Sequence, residues 1–336
     1  MKRGVVGGAG VRENEAPHRC RLTSEELPCH ATSQAHTCCR MNQPKSPFSI
    51  GLLSMKKFIP VTPIPLAGRL LIALFLTIAN LEAQTTPAAK PALPPLRVFL
   101  RSGPKSHGPG DHDHPSFLRD WTKVLTERGA EVSGGDVFPT AEQLAKTDVV
   151  IIHRQVGGNF SPAELAIIDT YAKRGGGFVV IHAANVAGGD ASADYYRDLI
   201  GGSWRQKVTK WREGQIKLNF VDKTHAISQG VEDFGMKDEI YYDMDIRTDI
   251  HVLATAPTPK KKGDDFEAQP QIWTYEKPNA QRAFVFIPGH AYVNFSRPDV
   301  SRLLLRGIAW AAKREDLMKM GDLPISPTPV VPAAGK

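Results

Sequence analysis

Two short apolar runs most constrain the fold of this chain. They are Val149-Val150-Ile151-Ile152-His153 and Phe178-Val179-Val180-Ile181-His182. Each is continuous rather than alternating and rich in β-branched residues. That pattern suits a parallel strand covered on both faces. Between them Ser161-Pro162-Ala163-Glu164 reads as a capping box with proline at the first helical position, and Leu165, Ile168 and Ala172 give the helix an apolar side. Gly175-Gly176-Gly177 ends that helix and turns the chain into the second run.

The same alternation extends upstream. Leu96–Leu100 reads as a first strand, 102–115 as a polar glycine-rich loop, 116–128 as a helix and 130–133 as a second strand. Thr140-Ala141-Glu142-Gln143 is another capping box. Strands and helices in this order, joined by short links, predict an α/β fold with a doubly wound, mainly parallel sheet and helices on both faces. After His182, a helix over 190–200 is stopped by Gly201-Gly202. Strands are then expected at 214–222, 251–256, 271–275 and 283–287, some of them antiparallel, before a closing helix over 298–314. No internal repeat is present.

The amino-terminal third is of another kind. Met55-Lys56-Lys57, the apolar run 70–79 and Leu81-Glu82-Ala83 read as a signal peptide over 55–83. The run is short for a membrane span, which needs about 20 apolar residues. No stable span is expected after cleavage, although retention as an uncleaved anchor is the alternative. Residues 1–54 then read as a misassigned start or a disordered extension. Residues 84–95 read as a linker, 96–315 as the folded domain and 316–336 as a disordered Pro-rich tail. The expected location is periplasmic or secreted.

This division changes what composition means. All four cysteines (Cys20, Cys29, Cys38 and Cys39) precede Met55, so the expected mature chain has no thiol chemistry and no disulfide. Residues 1–83 hold 10 basic and 5 acidic side chains against 32 and 30 in 84–336, so +5 of the formal +7 is upstream. A nearly neutral mature domain gives no footprint for nucleic acid. Gly108-Pro109-Gly110 lacks the third glycine of a dinucleotide fingerprint, and no phosphate-loop motif occurs.

In open α/β sheets, ligands gather outside the carboxyl ends of the strands. His182 stands at such an end, and His290, in Pro288-Gly289-His290-Ala291-Tyr292, follows the apolar run 283–287. Both are candidates for proton transfer or metal ligation. Glu239, in Asp238-Glu239-Ile240-Tyr241-Tyr242-Asp243-Met244, is a candidate base or a group that orients a histidine. The loop after the first strand carries His107, His112 and His114, whose donors would suit a divalent metal or a polyhydroxyl ligand, with a solvated loop as the plainer reading. His107 and His112 are further expected to close the pocket, with Asn185, Tyr241 and Tyr292 as substrate contacts. His225 is expected to fix a turn, and Lys260-Lys261-Lys262 to be a solvated loop. Trp204 and Trp211, with the tyrosines, would stack on sugar rings if the chain were a non-catalytic carbohydrate-binding module.

The succession GGGFVVIHAA, THAISQGV, DEIYYDM, RAFVFIPGH and LLLRGIAWAAKR, over about 96–314, resembles the trehalose-utilisation (ThuA-like) family. The resemblance implies a flavodoxin-like sandwich related to class I glutamine amidotransferases. It also implies a role in carbohydrate utilisation, on a small-molecule sugar or an oxidised disaccharide, as a hydrolase or isomerase. Where those amidotransferases carry a nucleophilic cysteine, this chain has Ile181-His182-Ala183-Ala184, so a thioester glutaminase mechanism is excluded. A binding module or an envelope interaction module remains the alternative, and the oligomeric state is left open.

Overall fold

The structure is a computed structural model that describes residues 93–260 and 265–325. The extension 1–54, the signal 55–83, most of the linker, Lys261 and Lys262 of the lysine run, and residues 326–336 lie outside the described residues.

Five strands make the parallel half of one sheet. They are β1 (Arg97–Arg101), β2 (Glu131–Gly135), β3 (Val149–Ile152), β4 (Gly177–Ile181) and, much later in the chain, β11 (Arg282–Phe286). Their order is β2-β1-β3-β4-β11, every neighbouring pair parallel. This is the flavodoxin-type order, with a switch point between β1 and β3. The intervening helices are α1 (His114–Thr126), α2 (Ala141–Ala145), α3 (Pro162–Lys173) and α4 (Asp190–Ile200), and α5 (Pro298–Ala311) follows β11.

Both expected capping boxes form. Thr140 and Ser161 accept from Gln143 N and Glu164 N, and the Gln143 and Glu164 side chains reach back to the cap amides. Strand periodicity sorts the sheet into two cores. Val98, Leu100, Ile151, Val179, Ile181 and Phe286 face α1 and α5. Phe99, Val150, Ile152, Phe178, Val180 and Val285 face α2, α3 and α4. Covering on both faces is the physical reason these runs are apolar throughout.

Two of the expected turn glycines are required by geometry. Gly175 has φ +83°, in the left-handed region that favours glycine. A Cβ on Gly177 would stand 2.3 Å from the Ala311 carbonyl oxygen. Gly177→Ala is therefore expected to cost about 1–3 kcal/mol through overpacking, read as a lower denaturant midpoint at constant m-value.

The second half is antiparallel and longer than expected. It comprises β6 (Lys210–Phe220), β7 (Phe234–Tyr242), β9 (His251–Pro259) and β10 (Phe266–Glu276), giving the nine-strand order β2-β1-β3-β4-β11-β10-β9-β6-β7. The small pair β5 (Gly202–Ser203) and β8 (Asp245–Ile246) lies apart. The β6–β7 ribbon pairs from Lys210↔Tyr242 to Leu218↔Phe234, but β6 joins β9 only through Asn219↔Thr255 and Phe220↔Ala254. The rest of the ribbon is free to leave the sheet plane. It carries Glu239 to within 3.6 Å of His182, although β7 stands five places from β4 in the strand order.

Three expectations need correction. The helix read from Ser116 begins at His114, because the Asp113 side chain caps it by accepting from Ser116 N. The strand β7 was not anticipated. The tail expected to be disordered from 316 begins with a 3₁₀ segment, Glu315–Asp322, whose Met320 is buried and whose Asp322 pairs with Arg306 at 2.7 Å. His225 does fix a turn, its Nδ1 accepting from Ile227 N. Among the described residues no helix is long and apolar enough to cross a membrane.

Candidate metal centre

The centre is assembled from four segments at the carboxyl ends of the parallel strands. The loop after β1 docks on the chain beyond β11. His112 N donates to His290 O at 2.9 Å, Tyr292 N donates to Gly110 O at 2.8 Å, and Asp111 bridges Ala291. This brings His112 under His290. His182 opens a 3₁₀ turn directly after β4 with φ +52°, and His112 has φ +42°. Side chains other than glycine are uncommon there, and such backbone gathers at functional sites. Glu239 arrives from β7.

The donor atoms of His112, His182, Glu239 and His290 all lie within 4.8 Å of one another. His112 Nε2 and His182 Nε2 are 2.9 Å apart, His182 Nε2 and Glu239 Oε1 3.6 Å, and His290 Nδ1 and Glu239 Oε2 3.8 Å. Donors about 2.1 Å from one tetrahedral ion stand about 3.4 Å apart, so the set is near that spacing and would have to draw in by a few tenths of an ångström to hold a single cation. The tautomer of His182 is fixed. Its Nδ1 lies 2.8 Å from the Ile287 carbonyl oxygen, which only accepts, so Nδ1 carries the proton and Nε2 offers a lone pair to the cluster. A carbonyl behind a histidine in this way is the usual outer support of a metal ligand. His112 has Ser106 Oγ 3.2 Å from Nδ1 in the same role.

Burial, then the neighbouring imidazoles, pushes His112 down to about 3 and His182 well below its usual range. Both are neutral, as ligation demands. Burial, then the Glu213 and Asp238 carboxylates, pushes Glu239 up to about 7. Tyr241 stacks on the His182 ring at 5.0 Å, and its hydroxyl lies 3.4 Å from His182 Nε2.

Asp238 sets this geometry. Its buried carboxylate accepts from the amides of Glu239, Gly289 and His290 at 2.7, 3.1 and 2.8 Å, from Ala291 N at 3.4 Å, and from Asn294 Nδ2 at 2.8 Å. Burial pushes this carboxyl up while the amide donors pull the other way. One side chain thus ties the histidine loop to the glutamate strand.

A cleft of about 610 Å³ opens over the centre, walled by Gln155, Trp204, Trp211 and Glu213. Of the residues expected at the site, His107, His112, Glu239, Tyr241 and His290 line this cleft, and His182 is buried behind them, its ring stacked on that of Tyr241. His107 is exposed at the rim, its ring 4.0 Å from that of His112. The loop trio expected as metal ligands does not converge as a trio: only His112 belongs to the group of four. The His114 ring is held by the Pro104 carbonyl at 2.9 Å and packs on His153. Asn185 is fully buried; its side-chain amide donates to Gly202 O and its backbone carbonyl accepts from Trp204 N, so it positions the cleft wall. Tyr292 turns away and donates to Asp120. Sequence reasoning gave no role to Asp238. Its one signal was a second acid next to Glu239 in a strand, where adjacent side chains point to opposite faces.

A model of the trehalose-utilisation family (ThuA) matches residues 111–311. The chain belongs to the ThuA family. Among solved structures it is similar to a ThuA-like protein from Bacteroides uniformis at 17% identity and TM-score 0.54, covering 67% of this chain and 94% of that one. It is also similar to a ThuA-like protein from Parabacteroides merdae at 19% identity and TM-score 0.50, covering 65% and 90%. At these identities the two likenesses speak for the fold, which is that of ThuA-like proteins. None of the curated proteins matches the sequence.

Proposed function

We propose that this ThuA-family chain is an exported enzyme of carbohydrate utilisation that acts on a sugar or oxidised disaccharide at a divalent metal. The observation that carries the reading is the convergence of three histidines and a glutamate, with their donor atoms within 4.8 Å of one another, beneath an open cleft. His112, His182 and His290 would hold the ion, which would polarise a substrate carbonyl or hydroxyl. Glu239, beside His182 and His290 and facing the cleft, is then the group that moves a proton. Export rests on the Met55–Ala83 pattern, and mass spectrometry of the native amino terminus tests it.

Elemental analysis of the purified domain, with a sugar-panel assay on the same sample, tests the chemistry. His182→Ala and His290→Ala are expected to lose the metal and turnover while keeping the fold. Glu239→Gln is expected to keep the metal and lose turnover by about 10²–10⁴-fold. A wild-type domain that takes up no divalent ion ends the metal reading, and Glu239→Gln with full turnover ends the base assignment.

A second reading has its own support. Trp211 is 58% exposed at the cleft wall, close to Trp204, an arrangement suited to stacking on a sugar ring. Saturable stabilisation by sugars without turnover would favour a binding module.

A further inference from the structure

At the switch point between β1 and β3 lies a second set of polar groups, none of which lines the histidine cleft. Arg101 is the last residue of β1 and continues the Phe99 side of that strand. It is 5% exposed, and its Nε and Nη1 are buried without a hydrogen-bond partner. Among the described residues it forms no ion pair. Burial, then the neighbouring Arg154, pulls its pKa down to about 10. The hydroxyl of Tyr196, on α4, is buried without a partner, and so is Arg154 Nε. The acid whose charge acts on Arg101, Glu164, is engaged in capping α3.

The guanidinium sits over two rings, 4.7 Å from the centre of Phe138 and 5.6 Å from that of Phe160. Both rings are partly exposed, as is Arg154, so the group lies just beneath the surface. Cation–π contact compensates part of the desolvation of a cation. It leaves the Nε and Nη1 groups of Arg101 unpaired, and a second guanidinium nearby adds repulsion. A buried charge without a counter-charge is costly. Arg101 packs over Phe160, whose ring also packs on Tyr196 at 5.9 Å, and two arginines with a tyrosine hydroxyl are a donor set suited to an oxyanion.

We infer that Arg101, Arg154 and Tyr196 form a binding site for a small oxyanion, a phosphate or carboxylate group, at the carboxyl end of β1 and separate from the histidine centre. The two phenylalanines shield the pair from water and offer an apolar flank to the body of the ligand.

The test uses EDTA-treated domain, so that anions cannot bind through a metal. Inorganic phosphate and acetate are titrated separately against chloride at constant ionic strength, with thermal unfolding as readout. The wild type is expected to show saturable stabilisation by at least one of them. Arg101→Met, which removes the buried charge but keeps the stem, is expected to be at least as stable in chloride and to bind the anion at least ten-fold more weakly. Arg154→Met and Tyr196→Phe are expected to weaken it too, and they carry the test if Arg101→Met does not fold. His290→Ala is expected to respond as wild type does. Phosphate alone acting assigns the site to phosphate groups, and acetate acting equally assigns it to carboxylates. No saturable response to either anion overturns the inference, as does an equal response in wild type, Arg154→Met and Tyr196→Phe.

Discussion

Replacing Asp238 with Asn is expected to destabilise the domain by about 3–5 kcal/mol and to dismantle the centre at the same time. The native carboxylate accepts from four backbone amides and one side-chain amide. An asparagine keeps the shape but turns an NH₂ group, itself a donor, onto buried N–H groups. Each buried donor left without an acceptor costs about 1–3 kcal/mol, and losing one side of a buried ionic arrangement costs about 3–5 kcal/mol. Because the amides belong to Gly289, His290 and Ala291, the His290 ring is released from its place, and metal affinity is expected to fall by about 10–100-fold. Urea unfolding and metal content of the variant measure both effects. A variant with the wild-type midpoint and full metal occupancy would show that the loop holds itself in place without Asp238.

The second large effect is a loss of stability on mild acidification of the metal-free protein. His153 and His182 are fully buried, and burial, followed by neighbouring imidazoles, pushes both well below the usual histidine range. His153 has neither ring nitrogen partnered, packed as it is against Phe117 and Phe295. Above about pH 6.5 both states hold neutral imidazoles, and these groups add no slope. Below that value the unfolded chain binds a proton at each while the folded chain does not. Stability therefore falls with pH, by about 1.4 kcal/mol per unit for each histidine and about 2.7 for the two together. Acid unfolding of carboxylate pairs adds its own slope at lower pH, so the comparison is made with His153→Phe. That variant is expected to lose about 1.4 kcal/mol per pH unit of the slope between pH 6.5 and 5. Identical pH profiles for the two proteins would mean that His153 is hydrated or protonated in the fold.

What the sequence made legible follows from the range of the forces involved. The parallel half was readable because its signals are local. Continuous apolar runs mark strands buried on both faces, and two capping boxes state where α2 and α3 begin. The strand β7 was hidden by its own function. Its inward row is Met236, Asp238 and Ile240, and the acid in the middle breaks the apolar alternation that would have announced a strand. His182, Glu239 and His290 were legible as candidates because each falls at a strand end or among polar residues that a core cannot absorb. Their convergence around one cleft was expected from motif order, but no local pattern marked how it is built. It depends on a ribbon leaving the sheet plane and on a loop docking through backbone hydrogen bonds, and neither leaves a mark in side-chain pattern. The same limit explains Tyr292 and His114. Both were placed in the right neighbourhood, and side-chain hydrogen bonds, from Tyr292 to Ser116 O and Asp120 and from His114 to Pro104 O, turned each away from the cleft.

The attachment of the β6–β7 ribbon through two residue pairs has a consequence for how such a pocket can diversify. The imidazoles belong to the rigid parallel frame, whereas Trp211, Glu213 and Tyr241 ride on an arm moored at one corner. Length and side chains along that arm can drift without retuning the frame, provided that the acid beneath the histidine loop is kept. Relatives built on this plan are therefore free to share one histidine cluster while differing widely in the walls above it.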